Sequence, residues 1–407
     1  MKFKKSICLS LVLTSSLFFV ISCGPKSSGP KPSDIHEQVF TVDTHVDTSI
    51  SRPNGFHITK LNKREEGGGQ VDFPRMKQGG LDAICMAVFL SQGNRTEADF
   101  KASTLKAEND FAEILETIKA YPDMVELALT PEDAARIEKT GKRIIILSIE
   151  NGYTMGIDLS HVKKYFDYGV RLSGLCHGKT NEICDSATDK PEHDGLSDMG
   201  RKVIAEMNRL GIVVDVSHIS DAAFYDVIEA SRVPIVASHS SVRALSDSPR
   251  NMTDDMLNKL KENGGVIQIC LLSSYIKKVE QDPQREEKLK ALREKFNAEN
   301  LSAEDQAKMR AEGEAIEKQH PQRLATVADA MDHLDHVVKL IGIDHVGIGT
   351  DFDGGGGLEG CRDASEVGNI TKELQKRGYT DEHIRKIWGG NFLRVMSQAR
   401  DYANSLK

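Results

Sequence analysis

The feature that most constrains this chain is a rhythm of short apolar, β-branched runs separated by longer charged stretches. The runs fall at 39–46, 83–90, 143–149, 170–176, 211–216, 234–238, 266–271 and 346–349. Each shows little alternation of apolar and polar residues, which is the pattern of strands covered on both faces. Between them, stretches such as 100–120 and 198–210 repeat apolar residues at helical spacing. Eight buried strands alternating with helices predict an α/β fold of one (β/α)8 barrel, the TIM-barrel architecture. An open doubly wound sheet is the fallback. No run leads through Gly-x-Gly-x-x-Gly into a helix, which removes the nucleotide-binding version of that sheet. The stretch 277–323 breaks the rhythm, being rich in Glu, Lys, Arg and Ala with a helical run at 284–296. It reads as a helical insertion after the seventh strand, in the simplest case a solvated helical pair. A lid over the site is the sharper alternative.

The N-terminus reads as an address. Lys2, Lys4 and Lys5 precede an apolar stretch at 7–21 that is too short to span a bilayer comfortably. It ends in Val20-Ile21-Ser22-Cys23, which resembles a bacterial lipobox. The expectation is a signal peptide over 1–22, lipidation of Cys23, a flexible tether over 23–37 and a single catalytic domain over 38–407. The protein would be exported and lipid-anchored. No acidic residue follows Cys23 directly, so the outer membrane is expected, with the leaflet and the facing side left open. Of seven cysteines, Cys85, Cys176, Cys184, Cys270 and Cys361 lie in the domain. They are too widely spaced for a disulfide framework. The net charge of -8 leaves no basic surplus to neutralise phosphates, so nucleic acid is excluded as a partner.

In a barrel, functional groups project from the C-terminal ends of the strands. The first run ends in His45-Val46-Asp47, and residues two apart on an extended chain point the same way. Glu150 closes the third run, His177 the fourth, His218 the fifth and His239 the sixth, while Asp351 follows the eighth. A lone histidine or aspartate at a strand end is usually structural. Four histidines and three carboxylates in one barrel mouth need a neutralising partner, and imidazole with carboxylate suits Zn²⁺. The set is large enough for two ions sharing a bridging carboxylate and activating a water, which makes hydrolysis the natural chemistry.

These residues sit in motifs that identify a family. They include Val42-Asp-Thr-His-Val-Asp47, Ser148-Ile-Glu-Asn-Gly152, Val170-Arg-Leu-Ser-Gly-Leu-Cys-His177, Val214-Asp-Val-Ser-His218, Ser238-His-Ser-Ser241, Pro249-Arg-Asn251 and Gly347-Ile-Gly-Thr-Asp-Phe-Asp353. The chain resembles the membrane dipeptidase (renal dipeptidase) family of di-zinc barrels over residues 38–400. The resemblance implies that His45, Asp47 and Glu150 hold one zinc and that Glu150, His218 and His239 hold the other. It implies that His177 stabilises the oxyanion, Arg250 receives the C-terminal carboxylate of a dipeptide, and Asp351 shuttles the proton. Tyr275 aligns with a substrate-contacting tyrosine. The implied substrates are dipeptides, among them those with a C-terminal D-residue, and the family's habit implies a homodimer. Thr44 and Val46 stand where many relatives carry Gly and Asn, a change beside the ligands and not in them.

A related amidohydrolase acting on N-acyl amino acids or lactams is the alternative. Such barrels usually open with His-x-His and often use a carboxylated lysine on strand four. Here strand four offers His177, with Lys179 two residues on in the loop. A non-catalytic peptide-binding lipoprotein is the third reading, disfavoured because no ligand is missing. Asp353, His333 and His336 are expected to be structural, and His45 needs an outer partner that Asp43 or a backbone carbonyl could supply.

Overall fold

The computed structural model describes residues 35–52, 54–63, 68–296 and 302–407. The expected signal peptide, Cys23 and nearly all of the tether lie outside the described residues.

All eight apolar runs form strands. In chain order the strands are β1 (Val42–Val46), β2 (Ala83–Phe89), β3 (Val125–Leu127), β4 (Arg143–Glu150), β5 (Val170–Gly174), β6 (Val213–Asp215), β7 (Val236–Ser240), β8 (Val266–Cys270) and β9 (Val346–Gly349). They pair in parallel in the order β1-β2-β4-β5-β6-β7-β8-β9. The barrel nearly closes where β9 returns to β1. There the Asp351 amide donates to the His45 carbonyl at 3.0 Å, and the Asp47 amide donates to the Phe352 carbonyl at 2.9 Å. The unexpected strand, β3, pairs with the first three residues of β4. At three residues it is too short to stand out as an apolar run.

Two apolar layers hold the structure. Alternate strand residues such as Val42, Ala83, Ile144, Ile146, Val213 and Val266 form one cluster with Phe392, Val395 and Met396. The strand period of two sends these side chains inward, and the C-terminal helix Asn391–Ser405 packs beneath them. Their neighbours Ile84, Met86, Ile145, Leu147 and Ile267 face outward and pack under the surrounding helices. Higher in the barrel, nearer the C-terminal ends of the strands, the inward positions turn polar. Ser148, Asp215, Ser238 and Gln268 are all buried there. β9 can come this close only because it carries glycine: a Cβ on Gly349 would stand 1.9 Å from the Ser238 carbonyl oxygen.

The outer helices begin where their sequences supply caps. Thr96 with Asp99, Thr130 with Asp133 and Thr326 with Asp329 each form a reciprocal capping box. The expected amphipathic helices appear at Glu97–Ala120 and Asp198–Leu210. After β8 come the helices Pro283–Lys295 and Ala303–Gln319, the expected helical pair. Ion pairs of Lys295 with Glu312 at 2.6 Å and of Arg285 with Glu317 at 3.2 Å join them. Leu292 is their one buried apolar side chain among the described residues.

Candidate active site

The chain order scatters the candidate ligands over some three hundred residues, and the barrel gathers them. His45 Nε2 lies 3.4 Å from Asp47 Oδ2, with Asp47 one residue past the end of β1. Glu150 stands at the centre. Its Oε1 lies 3.0 Å from His218 Nε2, 3.6 Å from His177 Nε2, 3.7 Å from His45 Nε2 and 3.8 Å from His239 Nε2. The Nε2 atoms of His218 and His239 are 2.8 Å apart. Three triads converge closely enough to hold a metal: His45, Glu150 and His239; Glu150, His177 and His218; and His45, Asp47 and Asp351. Every strand-end residue expected from the sequence is thus in one place.

Two buried atoms there, His45 Nε2 and Asp47 Oδ1, have no hydrogen-bond partner. Buried polar atoms are normally paired, so atoms left open within one cluster fit a cation there. The nitrogen and oxygen donors suit zinc.

The electrostatics agree. Burial, with Asp47 beside it, pushes Glu150 well above the carboxylate range. Burial is also the main reason that Asp351 rises to about 7. Burial acts on His45 in the opposite sense, yet Asp47, Glu150 and Asp351 outweigh it and carry the imidazole up to about 10. Burial drives His218 and His239 well below the usual histidine value, and the charge of Arg250 adds to this. These opposed shifts mark a buried cluster whose carboxylates call for a positive partner.

The backbone is bent to aim these groups. His218 has φ 73° and Asp351 φ 61°, left-handed values that are rare outside glycine and concentrate at functional sites. Asp43 does not orient the His45 ring through its carboxylate. Its Oδ1 accepts instead from the His45 backbone amide at 3.2 Å and from the Thr350 amide at 2.8 Å, bracing β1 against β9.

A cavity of about 420 Å³ opens over this cluster, lined by Asp47, Glu150, His177, His218, His239, Tyr275 and Asp351. His177 is 40% exposed at its mouth, edge-on to Phe89 at 4.9 Å. Arg250 is buried, with its guanidinium 5.4 Å from the Tyr275 ring centre. One Nη2 bond at 3.3 Å to the His239 carbonyl occupies it, while Nε has no partner. An arginine after a proline would ordinarily be read as a surface group, yet this one is enclosed beside the histidine cluster.

Some cavity residues carry no signal in the sequence. Lys106, Asp110 and Glu113 of the helix Glu97–Ala120 reach the cavity wall. They look like any other charges on an amphipathic helix. No described residue of 277–323 lines the cavity, so the helical pair is not a lid in this structure. Lys179 is exposed and also stands outside the lining. Asp353 is structural as expected, accepting from Gln70 N at 2.9 Å and pairing with Arg52 at 3.3 Å. His333 accepts from Val242 N at 3.0 Å and sits 2.8 Å from the Ile276 carbonyl, while His336 pairs with Asp254 at 2.7 Å. The five domain cysteines are all buried free thiols.

Comparison with known proteins gives the same answer. The family described as membrane dipeptidase, peptidase family M19, matches residues 31–407. The chain is 31% identical over 345 residues to dipeptidase tcpJ of Claviceps purpurea, covering 83% of this chain and 71% of that protein. It is 31% identical over 425 residues to dipeptidase aclJ of Aspergillus oryzae, covering 99% and 91%. The solved structure of the probable dipeptidase PvdM from Pseudomonas aeruginosa matches with a TM-score of 0.76 at 31% identity, over 91% of this chain and 98% of that one. A nearly closed parallel barrel, a cluster of metal-ligating groups at its mouth and these relatives lead to one conclusion: the chain belongs to the membrane dipeptidase family M19 and is a metallo-dipeptidase, a hydrolase of peptide bonds.

Proposed function

We propose that the protein cleaves free dipeptides, including those with a C-terminal D-residue, using two zinc ions. The observation that carries this is Glu150 Oε1, which has four histidine nitrogens within 4 Å beside the unpartnered His45 Nε2 and Asp47 Oδ1. A carboxylate with that many nitrogen neighbours can be shared between two cations. His45, Asp47 and Glu150 would hold one ion, and Glu150, His218 and His239 the other. When bound, the two ions supply Lewis acidity and make water a nucleophile at neutral pH.

The protein's own residues do the rest. Arg250, with donors to spare beside Tyr275, receives the substrate's terminal carboxylate through paired charge-assisted bonds. Burial, with Arg250 adding to it, lowers the pKa of His177 and favours its neutral form. It donates its N–H to the scissile carbonyl oxygen as charge develops there. Asp351, on the cavity wall close to His45 and Asp47, takes a proton from the attacking water and returns it to the leaving amine. Acceptance of D-residues rests on the family resemblance.

The test is a panel of L- and D-dipeptides with N-acetyl amino acids included, run with and without a chelator beside metal analysis. Dipeptide hydrolysis that the chelator abolishes, with close to two zinc ions per chain, is expected. Chelator-resistant hydrolysis, or cleavage of N-acetyl amino acids alone, would sink the proposal.

The enzyme is further proposed to be an exported lipoprotein tethered through Cys23, and a homodimer as in its family. Cys23→Ser should release it from the membrane fraction, and retention would refute the anchor. Sedimentation reads the oligomer directly.

A further inference from the structure

Beneath His239 lies a buried chain of polar groups that the reaction itself does not use. Asp215 ends β6 and Ser238 stands in β7, one residue before His239. Asp215 Oδ1 accepts from the backbone amides of Ser217 and Ser238, each at 2.9 Å. Its Oδ2 accepts from the Ser238 hydroxyl at 2.6 Å. The same hydroxyl oxygen lies 2.8 Å from His239 Nδ1. Ser238 is fully buried and Asp215 nearly so, so water does not replace these partners.

The proton count then settles the direction of each bond. A serine hydroxyl has one proton and two lone pairs. The short bond to Asp215 takes the proton, so toward His239 the oxygen can only accept. His239 must therefore carry its proton on Nδ1, which leaves Nε2 bare and facing Glu150 and His218. The His239 backbone is pinned as well, because its amide donates to Ser217 Oγ at 3.0 Å.

We infer that Asp215 and Ser238 are positioning residues that lock His239 in the Nδ1-H tautomer and aim its Nε2 at the cation shared with His218 and Glu150. They act through His239 and lie outside the cavity lining. The inference rests on the metal assignment made above, and it adds two residues on which the affinity of one site alone depends.

The relay also predicts what an isosteric change does. In Asp215→Asn the amide oxygen can still accept from the two backbone amides. The amide nitrogen then faces Ser238 and donates to it. Ser238 then turns its own proton toward His239 Nδ1, nearer at 2.8 Å than Ser217 Oγ at 3.4 Å, and the imidazole proton moves to Nε2, where a cation should bind. Asp215→Asn should therefore harm the site more than Ser238→Ala, although it changes the shape less.

The test uses full-length protein stripped by chelation and then titrated with zinc against a chromophoric chelator. In parallel, nitrogen-15 histidine spectra of the metal-free protein read the His239 tautomer. Orienting partners of this kind are worth about 10- to 100-fold in metal affinity. We expect Ser238→Ala and Asp215→Asn to weaken one of the two zinc sites by that amount and spare the other. Ser238→Thr keeps the hydroxyl and should restore both sites. The His239 signal should report Nδ1-H in the wild type and Nε2-H in Asp215→Asn. Unchanged affinities in Ser238→Ala, an equal loss at both sites, or an Nε2-H wild type would each overturn the relay. A wild type that binds two zinc ions separates this outcome from failure of the metal assignment, because a wild type that binds none overturns both.

Discussion

Arg250→Ala offers the sharpest check on how substrates are chosen. The guanidinium is enclosed, with Nε unpartnered and a single long Nη2 bond of 3.3 Å to the His239 carbonyl. Truncation therefore breaks little within the protein, and the fold should survive. What it removes is the partner of an incoming carboxylate. Two charge-assisted bonds at about 1.5–3 kcal/mol each set a loss of about 3–6 kcal/mol, or roughly 10²- to 10⁴-fold in kcat/KM. The carboxylate takes no part in the bond change itself, so the loss should fall mainly on KM. The assay compares L-Ala-L-Ala with its C-terminal amide. The wild type should strongly prefer the free acid, and Arg250→Ala should treat the two nearly alike. Arg250→Lys should recover only part of the preference, because an ammonium lacks the paired fork. A variant that folds and keeps the full preference for the acid would show that another group holds the carboxylate.

Other expectations address the metal, the insertion and the barrel. Glu150→Gln should abolish hydrolysis and lower the zinc content to about one ion per chain, since the shared oxygen loses its charge; elemental analysis with an activity assay checks both. Replacing 283–320 with a short linker should leave kcat/KM unchanged. Gln281 Nε2 already donates to the Arg323 carbonyl at 2.8 Å, so the ends of the pair meet, and none of its described residues lines the cavity. A large loss of activity in a folded excision variant would restore the lid reading. Gly349→Ala would drive a Cβ to within 1.9 Å of the Ser238 carbonyl. Neither partner is a flexible side chain, so calorimetry or denaturant titration should show destabilisation by about 3 kcal/mol or more.

Much of this was legible in the sequence, for a physical reason. A strand covered on both faces must be apolar along its length, so each of the eight runs announced itself, and their order with the helices announced the barrel. Because a barrel presents chemistry at the C-terminal ends of its strands, His45, Asp47, Glu150, His177, His218, His239 and Asp351 could be picked out one run at a time. β3 escaped because three residues make no pattern. The first strand was expected over 39–46 but begins at Val42, since only from there does it pair with β2.

The rest depended on which segments the closed barrel brings together. Arg250 became a buried neighbour of Tyr275 only through the packing of the loops after β7 and β8. The left-handed backbones of His218 and Asp351 answer to their surroundings and not to residue type. Lys106, Asp110 and Glu113 became cavity residues because of how one helix lies across the mouth. Asp215 and Ser238 are ordinary polar residues until β6 and β7 set them side by side beneath His239. Local periodicity is written in neighbouring residues, so the chain alone determined the strands, the helices and the ligand types. Contact between residues far apart in the chain is set by strand register and barrel closure, so the tertiary structure decided which groups meet at the barrel mouth, which line the cavity and which lie beneath them.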